Sequence, residues 1–425
     1  QLDKTDVVKA LLNPKASKQS NPNQAMSDGT TPLFVAAKEG HEGVVKELLN
    51  RDRREQVRHV DKNGGTALFV AAKEGHEDVV KELLNRDRRE QVRHVDKNSN
   101  TALIYAGTRG HEGVVELLLK QKDARGKYIG VINAKNIHGH TPLFLAVYLK
   151  YNNVVKKLIN AGADNTTPTK KGNTPLSIAI ENGNQEIVNT LLSRTKIESN
   201  LLRDDGMTTL MRAARNGQTK IVELLLDHGA NIDTENKKGY TALLYATMGG
   251  KTGTVELLLD RGAAWGKGTT PLHIAAYLGN NNMVNKLFTD SRAKVKVDQP
   301  DENDFTPLSL AARQGKDDVV KNLINRGANR DTTHALIGAS KKGYDKVVNA
   351  LLTAKNINVN QATDNGDTAL IYASQGGNDK VVNALLTAKN INVNHANNKG
   401  VTALIVASQN NHAGVVNALR GAGAL

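Results

Sequence analysis

The chain of 425 residues contains no cysteine, so it forms no disulfide and offers no thiolate to a metal. Aromatic residues make up only 4%, with a single tryptophan, Trp265. Large rings therefore do not fill its core, and thin layers of Ala, Val and Leu must do so instead. No apolar run approaches the roughly 20 residues needed to span a bilayer, and no signal peptide is visible. The expectation is a soluble protein, in the cytoplasm of the producing cell or of a host cell. A chain of this length would ordinarily divide into two or three globular domains, but a repeated phrase overrides that prior.

The phrase first appears as Thr31-Pro32-Leu33-Phe34-Val35-Ala36-Ala37, followed by Gly40, Val44-Val45 and Leu48-Leu49. Its threonine returns at Thr66, Thr101, Thr141, Thr174, Thr208, Thr241, Thr270, Thr306, Thr368 and Thr402, with His334 in the equivalent slot of the tenth copy. Self-similarity at such a period means one supersecondary unit stacked many times. The threonine suits a helix N-cap, and the prolines at 32, 142, 175, 271 and 307 suit the first helical position. Nine residues after the slot stands glycine in ten of twelve copies, the exceptions being Lys150 and Asn411; there a helix should end in a left-handed residue. The V-V-x-x-L-L run that follows places four apolar side chains on one stripe of a second short helix. Neither helix is long enough to stand alone in water, so each must pack on its partner and on the next copy. The Asn-, Asp-, Lys- and Gly-rich stretch between copies suits an exposed turn or hairpin.

Thr270-Pro271-Leu272-His273-Ile274-Ala275 resembles the ankyrin signature T-P-L-H-x-A without a mismatch, and Val222 through Gly229-Ala230-Asn231 resembles the ankyrin repeat ending. The resemblance covers nearly all of residues 1–425. It implies an all-α-dominated solenoid, open and curved, whose helix pairs carry β-hairpin or loop fingers and whose concave face binds partners. It also implies that His273 ties neighbouring loops together by hydrogen bonds.

One array over 1–425 is expected, with a partial repeat in 1–20 and twelve repeats in 31–425. Asp6–Leu12 reads as a second helix without its first, and the last repeat lacks a polar terminal helix, so the chain reads as a fragment of a longer protein. The connector around Lys122–Val131 is lengthened. The intervals from Thr241 to Thr270 and from Thr306 to His334, 29 and 28 residues, are too short for a finger. Trp265 lies in the first of these and reads as a local plug. Thr31–Asn63 and Thr66–Asn98 differ only at Pro32/Ala67 and Gly43/Asp78, which points to recent duplication.

The formal net charge is +14. Its densest basic stretches, Arg51–Lys62 and Arg86–Lys97, each carry five cations against three acids. Two readings stand: solvated, partly self-compensated loops, or stacked basic fingers that grip an acidic partner. His41-Glu42 and His76-Glu77 begin like a zinc-protease motif, but Val45 and Val80 stand where its second histidine belongs. Gly266–Thr270 resembles a phosphate loop in which Gly268 replaces the metal-binding hydroxyl. No catalytic residue, metal ligand or cofactor site is expected, and the protein is read as not an enzyme.

If the ankyrin resemblance holds, the partner-facing slots are the pair after the first-helix Ala-Ala and the residue before the threonine. They hold Lys38, Glu39, Lys73 and Glu74 early in the chain, and polar residues late. In the middle they hold Tyr148, Leu149, Met207, Tyr240, Met248, Tyr277, Leu278 and Phe305, followed by Lys341 and Lys342. Rings in exposed slots suit binding hot spots; the competing reading folds them back onto neighbouring repeats. Three functions are carried. The first is a protein-interaction scaffold holding a helix or extended peptide in its groove. The second is the targeting array of a larger secreted effector, toxin or enzyme. The third is binding of nucleic acid or anionic membrane through basic loops. No small-molecule substrate is expected.

Overall fold

The computed structural model describes residues 24–51, 55–121, 131–194, 206–265, 268–290, 295–355 and 357–425. The partial repeat expected in 1–20, most of the connector after Lys122, and Gly266 and Lys267 of the phosphate-loop-like stretch lie outside the described residues. The chain divides into two compact units, residues 1–205 with 227–229, and residues 206–226 with 230–425. Repeats 1–5 fall in the first unit, and repeats 6–12 in the second.

Each repeat is a helix pair. Repeat 3, for example, comprises Ala102–Arg109 and Glu112–Leu119, and repeat 8 comprises Pro271–Leu278 and Asn281–Thr289. Helix entry follows the predicted chemistry. In eight repeats the slot threonine is extended and its hydroxyl accepts from the backbone N–H three residues on, as Thr141 does from Phe144 at 3.1 Å. Helix exit does so without exception. All ten glycines have positive φ, and Lys150 at φ 64° and Asn411 at φ 60° adopt the same left-handed turn in the two copies that lack glycine.

Leu and Ala of the first helix and the V-V-x-x-L-L stripe of the second meet between the layers. Leu33, Ala37, Val45 and Leu49 are fully buried in repeat 1, as are Leu272, Ala275, Val284 and Leu287 within 1% in repeat 8. Within each unit a first helix packs on the first helices beside it and on its own second helix. A repeat therefore gains part of its cover from neighbours, and stability is approximately a sum of repeat and nearest-neighbour terms.

The fingers are closed turns more than strands. Asp61, Asp96, Asn136, Asn236 and Asp301 each donate their N–H to the carbonyl four residues on, for instance Asp96 to Asn100 at 3.0 Å. Asx side chains secure the same turns, as Asp96 Oδ1 accepts from the backbone of Asn98 and Asn100 at 2.8 Å. Strand-type pairing among the described residues is limited to two antiparallel bridges, Ala362 with Thr368 and Ala396 with Thr402. Adjacent fingers are linked by backbone bonds: Lys62 N to Asp28 O, Lys97 N to Asn63 O and Ile137 N to Asn98 O, at 2.9–3.0 Å.

Two expectations change. No closed finger turn forms between Gly327 and His334, as the short interval predicts, but His334 does not occupy the cap. The first helix of repeat 10 starts early and runs Thr332–Lys342, with Asp331 as a left-handed N-cap at φ 66°, so His334 lies inside the helix. Its Nδ1 meets Asp331 Oδ1 at 2.7 Å. The basic stretch Arg86–Lys97 is also not a loop. The second helix of repeat 2 extends over Glu77–Arg93, because Val92 and Gln91 bury against Val57 and Gln56 of the preceding copy, Gln91 Nε2 donating to Val57 O at 2.7 Å. Arg86 within it contacts Glu82 and Asn50. This part of the basic stretch is therefore displayed on a helix and not on a finger.

Candidate partner-binding site

The histidines of the turn slot are tethers between repeats. His76 Nε2 bonds Lys38 O and His111 Nε2 bonds Lys73 O, both at 2.8 Å; His412 does the same to Gln375 O at 3.1 Å. Val45 and Val80, where a zinc-protease motif would need histidine, are fully buried core. Among the described residues no group of three His, Asp or Glu is placed to hold a metal. His273 is buried; its Nδ1 faces Thr270 N and Oγ1, and its Nε2 faces Phe305 O at 3.1 Å, so it ties its own helix cap to the next finger. Burial pushes its pKa below the usual histidine value, although Asp301 and the carbonyls pull the other way.

The slots after Ala-Ala lie at the C-terminal ends of the first helices and face solvent. In the first unit Tyr148 and Leu149 are exposed, Tyr148 by 58%. A ladder of rings leads to it: His140 stacks on Phe144 at 4.8 Å, and Phe144 lies parallel to Tyr148 at 6.5 Å. Burial lowers the His140 pKa, with His138 and Lys171 adding to the effect.

In the second unit Met248, Tyr277 and Leu278 are exposed on the first helices of repeats 7 and 8, which pack side by side. Gly249, beside Met248, has to be glycine, since a Cβ there would lie 2.4 Å from Arg215 O of repeat 6. Lys341 and Lys342 are exposed at the equivalent end in repeat 10. Lys341 Nζ lies 5.1 Å from the Tyr372 ring centroid, and Lys342 Nζ donates to Arg313 O at 2.9 Å.

The residues before the threonine behave differently. Met207 is only 6% exposed, so it is core and not a contact residue; an apolar side chain next to the cap gains more by burial than by display. Tyr240 is half-buried, edge-on to Tyr245 with centroids 6.0 Å apart, and Phe305 is half-buried beneath the Arg313 guanidinium at 4.5 Å. Both rings thus pack in part on their own neighbourhood and stay in part exposed. Trp265 is half-buried in its short connector.

One constellation gave no motif signal. Tyr105 Oη donates to Asp96 Oδ2 at 2.6 Å, joining a first helix to the finger before it. Burial, then the Asp96 carboxylate, pushes the Tyr105 phenol up to about 12. Tyr245 and Asn236 repeat the arrangement, Asn236 Nδ2 donating to Tyr245 Oη at 3.0 Å. A tyrosine four residues after the slot threonine was the available clue.

Elsewhere the cations pair across repeats on the second-helix face. Lys157 meets Glu116 at 2.8 Å, Lys156 meets Glu186 at 2.6 Å and Lys286 meets Glu256 at 2.5 Å. Lys120 and Lys157 hold the Glu116 carboxyl down at about 2.

The pattern of a family described as Ankyrin repeats (3 copies) matches in overlapping stretches from residue 1 to residue 424. Among similar proteins, the human transient receptor potential cation channel subfamily A member 1 is 27% identical over 218 residues, 50% of this chain and 17% of that protein. Mouse Rabankyrin-5 is 28% identical over 193 residues, 45% of this chain and 14% of its own length. The chicken nuclear factor NF-kappa-B p105 subunit is 30% identical over 203 residues, 47% of this chain and 18% of its own. In each of these relatives the matched stretch is under a fifth of the whole. Among the described residues, helix pairs whose first helices all leave through the same left-handed turn, with a family match along the chain, place this protein among the ankyrin-repeat proteins.

Proposed function

We propose that the chain is a non-enzymatic scaffold that holds a protein partner against the exposed ends of its first helices. Ankyrin repeats are generally protein-interaction modules, and that much follows from family. The observation supporting this particular surface is the exposure of Met248, Tyr277 and Leu278 on adjacent repeats, with Tyr148 and Leu149 as the counterpart in the first unit. Two of them are tyrosines in a protein with only 4% aromatic residues, and each sits where the left-handed turn leaves the helix end uncovered. Exposed apolar patches of this kind mark interaction sites. The test is site-specific photocrosslinking: a photoreactive residue at 248 or 277 should capture a partner, and one at Lys346, on the second-helix face, should not. Capture from 346 alone would overturn the assignment.

A second reading makes the array the docking segment of a larger protein. It is favoured by the small share, 14–18%, that the matched stretch takes of the three relatives. The coding sequence on either side of the array tests it. An additional domain in the same reading frame supports this reading, and stop codons immediately flanking the array sink it.

A further inference from the structure

The first-helix ends of the second unit carry a pattern of charge that names a class of partner. In order along the stack, the slots after Ala-Ala hold Arg215, then Met248, then Tyr277 and Leu278, then Arg313, then Lys341 and Lys342. Acidic residues are missing from these slots in all of repeats 6–12, where the remaining positions are Asn, Gly and Gln. The cations differ from those of the second-helix face. Arg313 lies over the Phe305 ring, Lys341 over the Tyr372 ring, and Lys342 reaches a backbone carbonyl. These contacts leave the positive charges uncancelled. In the finger before repeat 9, Asp301 Oδ1 accepts from Asn303 N and Phe305 N at 2.8 and 2.9 Å, and Asp304 pairs with Arg330 at 2.8 Å. Lys342, stretched across to Arg313 O, brings its ammonium beside repeat 9, so positive charge is concentrated on one side of the apolar pair.

We infer that this surface takes an acidic amphipathic helix, with two apolar residues seven apart and carboxylates at the same spacing on either side. The inference rests on the partner-binding reading above and deepens it. Packed helices lie roughly 8–10 Å apart, which sets the spacing of equivalent slots in successive repeats. A helix rises 1.5 Å per residue and so presents one face again after seven residues, about 10.5 Å. In a β-strand three residues span a similar length, but the side chain then points to the opposite face. One apolar residue would meet Met248 and the next the Tyr277–Leu278 pair. A carboxylate one heptad before would face Arg215. Those one and two heptads after would face Arg313 and the two lysines. Two exposed apolar anchors supply adhesion, and the flanking cations select orientation and exclude basic segments.

The test uses the full chain and a labelled synthetic helix with leucines seven residues apart and glutamates at the three flanking heptad positions. A second peptide carries lysine in place of each glutamate. Fluorescence anisotropy at about 0.1 M salt, where the screening length is about 10 Å, should show the glutamate peptide binding at least tenfold more tightly. Tyr277→Ala should weaken it about tenfold or more, as expected of an anchor. The double variant Lys341→Glu, Lys342→Glu should weaken the glutamate peptide and strengthen the lysine one. Unchanged circular dichroism would show both variants folded. Equal binding of the two peptides, still lost in Tyr277→Ala, would overturn the acidic class and leave the partner-binding surface standing. Binding that Tyr277→Ala and Met248→Ser leave unchanged would overturn both. No binding of the glutamate peptide would overturn the inference.

Discussion

Gly75 and Gly162 separate two costs that a left-handed glycine can carry. Both have φ of +86°, so alanine at either meets the same backbone penalty. A Cβ at Gly162 would find nothing within 4 Å, whereas one at Gly75 would lie 2.6 Å from Nδ1 of His111. That ring cannot swing aside freely, because its Nε2 is bonded to Lys73 O at 2.8 Å. Left-handed backbone costs an L-residue roughly 1–2 kcal/mol, and the stiffer unfolded chain returns about 0.4–1 kcal/mol. Gly162→Ala should therefore cost about 1 kcal/mol. Gly75→Ala adds the tether between repeats 2 and 3, a hydrogen bond of about 1 kcal/mol, for a total of about 2 kcal/mol. In a His111→Ala background the obstruction is gone, and Gly75→Ala should fall back to about 1 kcal/mol. The assay is a double-mutant cycle by urea denaturation, with hydrogen exchange over 67–93 as a local check, since long arrays can depart from two-state behaviour. Equal costs for Gly75→Ala and Gly162→Ala, or strict additivity with His111→Ala, would refute the reasoning.

Tyr277→Ala should leave the melting temperature nearly unchanged, within about 0.5 kcal/mol as for an exposed side chain, while Tyr240→Ala, which loses the edge contact to Tyr245, should cost about 0.5–1.5 kcal/mol; the two melts compared decide it. Tyr105→Phe should cost about 1–3 kcal/mol, because it removes the shorter of the two hydrogen bonds to Asp96 Oδ2, a bond to a charged group, as measured by urea titration. The phenol is raised to about 12, above its unfolded value of about 10, so its contribution is full below pH 10 and is lost as pH rises through 12; absorbance at high pH should show one late-titrating tyrosine missing from Tyr105→Phe. His273 is shifted the other way, so its contribution is full above its unfolded pKa of about 6.5 and falls as pH drops through the lower folded value; repeats 8 and 9 should lose amide protection in acid before the rest of the second unit, and uniform protection would count against it.

The helix pairs were legible in the sequence because their determinants are local. A cap needs only a threonine three residues before the N–H it accepts from, and a left-handed exit needs only a residue that tolerates positive φ. Both recur with the period, so each copy corroborates the others. Even Lys150 and Asn411 follow the position and not the residue type. The same logic located the solvent-facing slots at Tyr148, Met248, Tyr277 and Lys341, since a helix end beside the exit turn has no neighbour to cover it.

What the sequence by itself determined, then, is the repeat, its phase and its family. Tertiary structure decided which way marginal side chains turned. Met207 and Tyr240 occupy the same slot of successive repeats, yet one is buried and the other half-open, because burial depends on the volume left by the adjoining helices. The second helix of repeat 2 runs on to Arg93 because Val92 and Gln91 find Val57 and Gln56 in the copy before, a contact between residues some 35 positions apart that no local propensity encodes. The charges divided in the same way. Alternating Lys and Glu along the chain gave no sign of which would meet, and only the stacking of second helices brought Lys157 to Glu116. The cations at the first-helix ends of repeats 9 and 10 found rings and a carbonyl instead, because the equivalent slots of repeats 6–12 lack an acid.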